Sequence, residues 1–163
     1  LGDVYKRQTL CHESFLRQID RRDYLWATFV WNLFDFGSDG RNEGNRPGMN
    51  DKGLVSFDRK VKKDAYYVYQ SRWSKTPMLQ IAQSRCIQRK RAKTEIKVYS
   101  NTDAVTLFVN GKQISTKEQK KNKQPGIFRW KGCRLQKGKN KIIAIARAGS
   151  KELKSEAIWI LAT

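Results

Sequence analysis

From Trp26 to Phe36 the chain reads WATFVWNLFDF, a nearly unbroken apolar run rich in aromatic and β-branched residues. That pattern predicts a strand buried on both faces, as in a parallel sheet covered by helices. Its length, and the polar Asn32 and Asp35 within it, exclude a membrane span. Before it, Cys11, Phe15 and Ile19 recur at i, i+4 and i+8, with Glu13, Arg17, Asp20 and Arg21 on other faces, which predicts a short amphipathic helix. After it, Gly37 to Phe57 is an irregular segment loaded with Gly, Asn, Asp and Arg. Val61, Ala65, Val68, Tyr69 and Trp73 then mark one face of a second helix, with Asp58 as its N-cap. Helix, strand, loop, helix is the βα rhythm of a parallel architecture, and one strand cannot complete it. A long loop behind a strand's C-terminal end is where α/β folds keep their sites, so function is expected between Trp31 and Lys52.

Beyond Pro77 the period changes from helical to alternating. Seven short strands are predicted: 78–84, 94–100, 104–110, 112–116, 126–131, 140–147 and 155–161, with Ile96/Val98 and Val105/Leu107/Val109 facing inward. Asn110-Gly111 is the favoured type I′ hairpin dipeptide, and Pro125-Gly126 and Gly138 punctuate later turns. Their number and spacing suit an immunoglobulin-like sandwich. The fold class expected is therefore α/β plus all-β, in two domains, 1–76 and 77–163, joined at Ser74 to Pro77. Leu1 to Gln8 fit no periodicity and read as a non-native leader.

Charge separates the same halves. Up to residue 82 there are 14 Lys/Arg against 10 Asp/Glu, and beyond it 20 against 5, so +15 of the +19 net charge belongs to the second half. Such basicity raises the prospect of a nucleic-acid or anionic partner. However, Lys97, Lys112, Arg129, Lys131 and Lys141 are scattered along the alternating strands, and the denser clusters Arg89 to Lys93 and Lys117 to Lys123 read as turns. No nucleic-acid motif accompanies them, so a solvated basic surface is favoured and neither nucleic acid nor a membrane is expected as partner. Cys11, Cys86 and Cys133 are widely spaced without a CxxC pair. With a single histidine, His12, read as a helix residue, no metal site and no cofactor are expected; Cys86 and Cys133 can pair in an oxidising compartment.

The strings FVWNLFDF and RNEGNRPGMNDKGLVSFDRKVKKDAYYVYQSRW resemble the C-terminal part of the catalytic (β/α)8 TIM barrel of glycoside hydrolase family 2, the β-galactosidase and β-glucuronidase family. SNTDAVTLFVNGK, GIFRWKG and LQKGKNKI are similar to the immunoglobulin-like domain that trails the barrel in bacterial members. The resemblance implies that Trp31 ends the eighth barrel strand, that the segment to Lys52 is its active-site loop, and that Val61 to Trp73 form the eighth helix. It implies a retaining hydrolase with two glutamates about 5 Å apart, both upstream of this segment. Glu13 is too close to Trp31 to be the nucleophile. The chain alone is thus expected to be inactive, a fragment of an enzyme that hydrolyses terminal β-galactosides.

What the resemblance leaves is part of a sugar pocket. Trp31 matches the tryptophan that stacks on the C–H face of a pyranose; from the residues alone it reads as an ordinary core tryptophan. Asn50 and Lys52 form an N-x-K pair, preceded by Arg46, similar to the loop with which β-glucuronidases hold the carboxylate of glucuronic acid. That makes β-glucuronide the alternative substrate; against the pair stands a solvated turn with Lys52 in water. Asp35 is expected to orient pocket groups or accept sugar hydroxyls, while Asn32, Asp39, Arg41, Asn42 and Glu43 are loop polar groups without an assigned role. A periplasmic or extracellular bacterial enzyme is implied. The competing reading is a basic, non-catalytic module that binds acidic polysaccharide or nucleic acid. The lone strand 26–36 predicts a sticky, poorly ordered first half beside a cooperatively folding sandwich.

Overall fold

The computed structural model describes residues 2–43, 46–119 and 124–162. It divides into two compact units, Leu1–Val68 and Tyr69–Thr163, with the division inside a helix.

The first unit opens with helix α1 (Gly2–Ile19). Its buried positions are Thr9, Glu13 and Leu16, while Cys11 and Phe15 are exposed. The buried face is therefore not the one predicted by Cys11, Phe15 and Ile19. Thr9 and Glu13 have polar partners, which makes their burial tolerable. Residues 2–8 are part of the same helix, and Gln8 Nε2 donates to the carbonyls of Lys52 and Gly53, each at 2.9 Å. Leu1 lies outside the described residues.

The apolar run 26–36 is not a doubly buried strand. Trp26 is 93% and Phe29 90% exposed. Only its end is paired: Phe34 bridges Val55 in parallel, with Val55 N donating to Leu33 O at 2.9 Å and Asp35 N to Val55 O at 2.9 Å. A strand's faces are buried by neighbouring strands and covering helices, and among the described residues this run has one short bridge. The loop behind it is more regular than its composition suggests, since β1 (Phe36–Glu43) and β2 (Arg46–Asn50) form an antiparallel hairpin, irregular at Asn42, with Glu43 opposite Arg46.

Helix α2 (Asp64–Trp73) buries Ala65, Val68 and Tyr69, but Trp73 is exposed. Val61 lies before the helix, accepting from Ser56 N at 2.9 Å, beside a Val55–Lys62 bridge. Asp58 does not cap α2. Its Oδ1 accepts the N–H of Lys60 at 3.2 Å, closing a turn six residues upstream, as an Asp side chain does where it can reach its own backbone two residues on.

The second unit is a two-sheet sandwich. Its strands are β3 (Leu79–Ile81), β4 (Gln88–Arg89), β5 (Lys93–Ser100), β6 (Ala104–Val109), β7 (Lys112–Glu118), β8 (Ile127–Arg134), β9 (Gly138–Ala148) and β10 (Lys151–Leu161). One sheet runs β4-β10-β9-β6-β7 and the other β3-β5-β8. Alternate residues face one core: Ile96, Val98, Phe128 and Trp130 from the smaller sheet, and Val105, Leu107, Ile142, Ala144 and Trp159 from the larger. Asn110 and Gly111, at φ 52° and 81°, make the two-residue turn between β6 and β7. A second tight turn was not legible as one: Gly149, at φ 61°, helps close the β9–β10 hairpin and lengthens both strands to 11 residues.

Three further expectations need correction. Arg89 is not in a solvated turn: it lies in β4, its guanidinium 3.6 Å from the centroid of the Trp159 ring and bonded to Gln83. Lys117 lies within β7, and 120–123 of its cluster lie outside the described residues. Cys86 and Cys133 are both free, Cys133 buried in the core and Cys86 at intermediate exposure, so the pairing is not made. No helix among the described residues is long and apolar enough to cross a membrane.

Candidate functional site

The first unit holds a buried polar network at the C-terminal end of the 26–36 run. Asp35, following the Phe34–Val55 bridge, has its side chain fully buried, and its Oδ1 accepts from Lys63 Nζ at 2.6 Å and from Gly53 N at 2.9 Å. Lys63, also fully buried, donates to the carbonyl of Asp51 at 2.7 Å as well. Two backbone contacts fix the approach: Lys63 N donates to Leu54 O at 2.9 Å, and Leu54 N to Asn32 O at 3.1 Å. Gly53 is required here. A Cβ on it would stand 2.1 Å from Asp35 N and 2.2 Å from the carbonyl carbon of Phe34, so only hydrogen fits where the two backbones meet. Arg46 pairs with Asp51 and reaches Asp35 Oδ2 at 4.0 Å.

Burial pushes the Asp35 carboxyl up and the Lys63 ammonium down; the ion pair between them opposes both shifts. Asp35 Oδ2 and Asp51 Oδ2 are buried without a hydrogen-bond partner. At the rim, Glu43 Oε2 accepts the N–H of Asp51 at 2.9 Å, and its Oε1 lies 3.3 Å from Lys52 Nζ and 3.5 Å from Arg41 Nη1. The Asp51 amide holds the Glu43 carboxyl below the ordinary range, helped by Lys52 and Arg41.

The structure thus brings Asp35, Arg46, Asn50 and Lys52 into one loop. Asn50 is buried, and its Oδ1 accepts from Lys52 N at 3.0 Å, closing a side-chain turn that presents a half-exposed Lys52 side chain. Trp31 sits apart from these hydrogen bonds. It is 72% exposed, its ring edge-on to Phe36 with centroids 6.1 Å apart, and the peptide bond to Asn32 is cis. It is not the core tryptophan that its residue type suggests. His12, in α1, faces Phe15 edge-on at 6.4 Å, and burial lowers its pKa.

Sequence reasoning missed Lys63, Asp51, Gly53 and the pairing of Glu43. Lys63 was hidden in the run Arg59 to Lys63, which has the composition of a solvated face; the signal available was its place directly before a helix that buries Ala65, Val68 and Tyr69. Chemically, the arrangement commits its carboxylates to cations and amides and presents an ammonium and an indole outward. An ammonium can pair with an anion, and an exposed indole can stack on a flat apolar face.

A β-glucuronidase of Bacteroides fragilis is 43% identical to this chain over 150 residues, which are 91% of the chain and 21% of that protein. The chain belongs to glycoside hydrolase family 2. Among solved structures, the FMN-binding β-glucuronidase of Faecalibacterium prausnitzii L2-6 is 40% identical, with a TM-score of 0.84 over 97% of this chain and 23% of that one. A structure described as a putative β-galactosidase from Bacteroides fragilis is 32% identical, with a TM-score of 0.90 over the same shares, 97% and 23%. Residues 91–153 match a family model described as a domain of unknown function, DUF4982. The family 2 chain spans about a fifth of the length of these relatives.

Proposed function

We propose that this chain is the closing segment of a retaining β-glycosidase that acts on β-glucuronides. In this reading residues 1–76 finish a (β/α)8 barrel, the 26–36 run being its eighth strand, and residues 77–163 form an appended immunoglobulin-like sandwich. The missing barrel strands would supply the neighbours that bury Trp26 and Phe29. The observation that carries the reading is the Lys52 ammonium, held outward on a loop whose base is the buried Asp35–Lys63 pair. A lysine so placed pairs with a sugar carboxylate, Asn50 and Arg46 set its loop, and Trp31 offers an exposed ring to the C–H face of the sugar.

Retaining hydrolysis needs two carboxyl groups about 5 Å apart flanking the scissile bond. The glutamates of the first unit are Glu13, buried in α1, and Glu43, paired with Lys52. Neither is placed as such a group, and the 163-residue chain by itself is expected to be inactive. A neutral β-galactoside is the second reading, favoured by the fold match to a structure described as a putative β-galactosidase.

The test uses the full-length glycosidase that carries this segment. K52M is expected to lower kcat/KM for an aryl β-glucuronide at least about tenfold, the scale of a lost charged hydrogen bond, and to leave an aryl β-galactoside far less affected. Equal losses on both substrates would support the galactoside reading. Turnover by the 163-residue chain itself would overturn the fragment reading.

A further inference from the structure

Lys52 is paired before any ligand arrives. Glu43 lies at the end of β1 opposite Arg46 in the hairpin register, and one of its oxygens is clamped by the Asp51 N–H at 2.9 Å. The clamp leaves the other oxygen directed at Lys52 Nζ, 3.3 Å away. Arg41, on the same strand, shares that oxygen at 3.5 Å. The three side chains form an open ion cluster with a net charge of one positive unit, and all three are partly exposed. The Asp51 amide also holds the Glu43 carboxyl below the ordinary glutamate range.

We propose that Glu43 is a specificity-determining residue that attenuates Lys52, occupying the ammonium that an incoming sugar carboxylate requires. The inference rests on the reading of Lys52 given above. An ammonium has three donors and can bridge two carboxylates, but the two anions then repel, and a substrate carboxylate gains less than it would from an unshared cation. A neutral sugar meets no such competition. The pairing is half in water, so the effect is a graded one: exposed ion pairs are individually weak, and Glu43 tunes discrimination between anionic and neutral sugars without blocking either. Arg41 works in the opposite sense, drawing Glu43 away from Lys52.

E43Q in the full-length glycosidase keeps an oxygen for the Asp51 N–H and nearly the same volume while removing the charge. The ratio of kcat/KM for aryl β-glucuronide to that for aryl β-galactoside is expected to rise about two- to fivefold, the range of an exposed ion pair, through a lower KM for the glucuronide. R41Q, which leaves Lys52 as the cation for Glu43, is expected to lower the same ratio, and it decides the matter if E43Q does not fold. A ratio unchanged or reduced in E43Q, or raised in R41Q, overturns the inference. K52M separates the two levels. If K52M leaves the ratio untouched, the reading of Lys52 fails and Glu43 with it; if K52M collapses the ratio and E43Q does not raise it, Glu43 alone fails.

Discussion

The residue on which the first unit turns is Lys63. Its ammonium is fully buried and satisfied by one carboxylate oxygen and one carbonyl. Removing one partner of a buried pair strands the other charge, so K63M is expected to cost about 3–5 kcal/mol, read as accelerated hydrogen exchange at the Gly53 and Val55 amides. D35N/K63M should cost less than the two single changes together, because no charge is left unpaired. Glu43 gives a pH prediction of definite sign. Its folded pKa is lowered by the Asp51 amide, so its contribution is present above the unfolded value of about 4.3 and lost as pH falls through the lower folded value. An NMR titration should show the Asp51 amide shift moving at a pH below that of a free glutamate.

At the scale of elements, the β6–β7 turn is the clearest case of local chemistry tied to the core. Asn110 adopts φ 52°, and its side chain also accepts from Lys141 N at 2.8 Å and donates to Asn140 Oδ1 at 3.0 Å. Asn140 is fully buried and bonds onward to Gln136 and Gly138. N110A therefore removes a left-handed turn residue and a cross-strand link at once, and is expected to destabilise the sandwich by about 2 kcal/mol. G111A, which costs only backbone strain at φ 81°, is expected to lose about 1 kcal/mol. Denaturant titration followed by tryptophan fluorescence measures both.

At the scale of the molecule, the two units bury their apolar residues differently. The sandwich closes one core of strands from both sheets, whereas the 26–36 run of the first unit keeps large aromatics in water. Hydrogen exchange is expected to protect Val105 to Val109 far more strongly than Trp26 to Phe29, because amides without ladder partners open at little cost. Protection of the two segments to the same degree would mean that the run finds partners in solution. The strong positive charge of the second half is expected to give weak heparin retention, lost at modest salt, since it is spread over strands; firm retention with a steep salt dependence would favour the basic-module reading.

The sandwich was largely legible in the sequence because alternation and turn dipeptides are local signals: Val105/Leu107/Val109 had to face one way, and Asn110-Gly111 had to turn. Strand ends were less so, since the β9–β10 turn at Gly149 and the Gln88–Arg89 pairing depend on a partner strand. The apolar run 26–36 carried the pattern of a buried strand, yet burial is conferred by neighbours, and the pattern cannot supply them. The loop to Lys52 announced a site by composition, but which of its charges is inside was decided by tertiary contact. Lys63 and Lys52 are chemically identical in the sequence; only the carboxylate of Asp35 and the carbonyl of Asp51 converging on one point make the first a buried anchor, while the second remains on the rim.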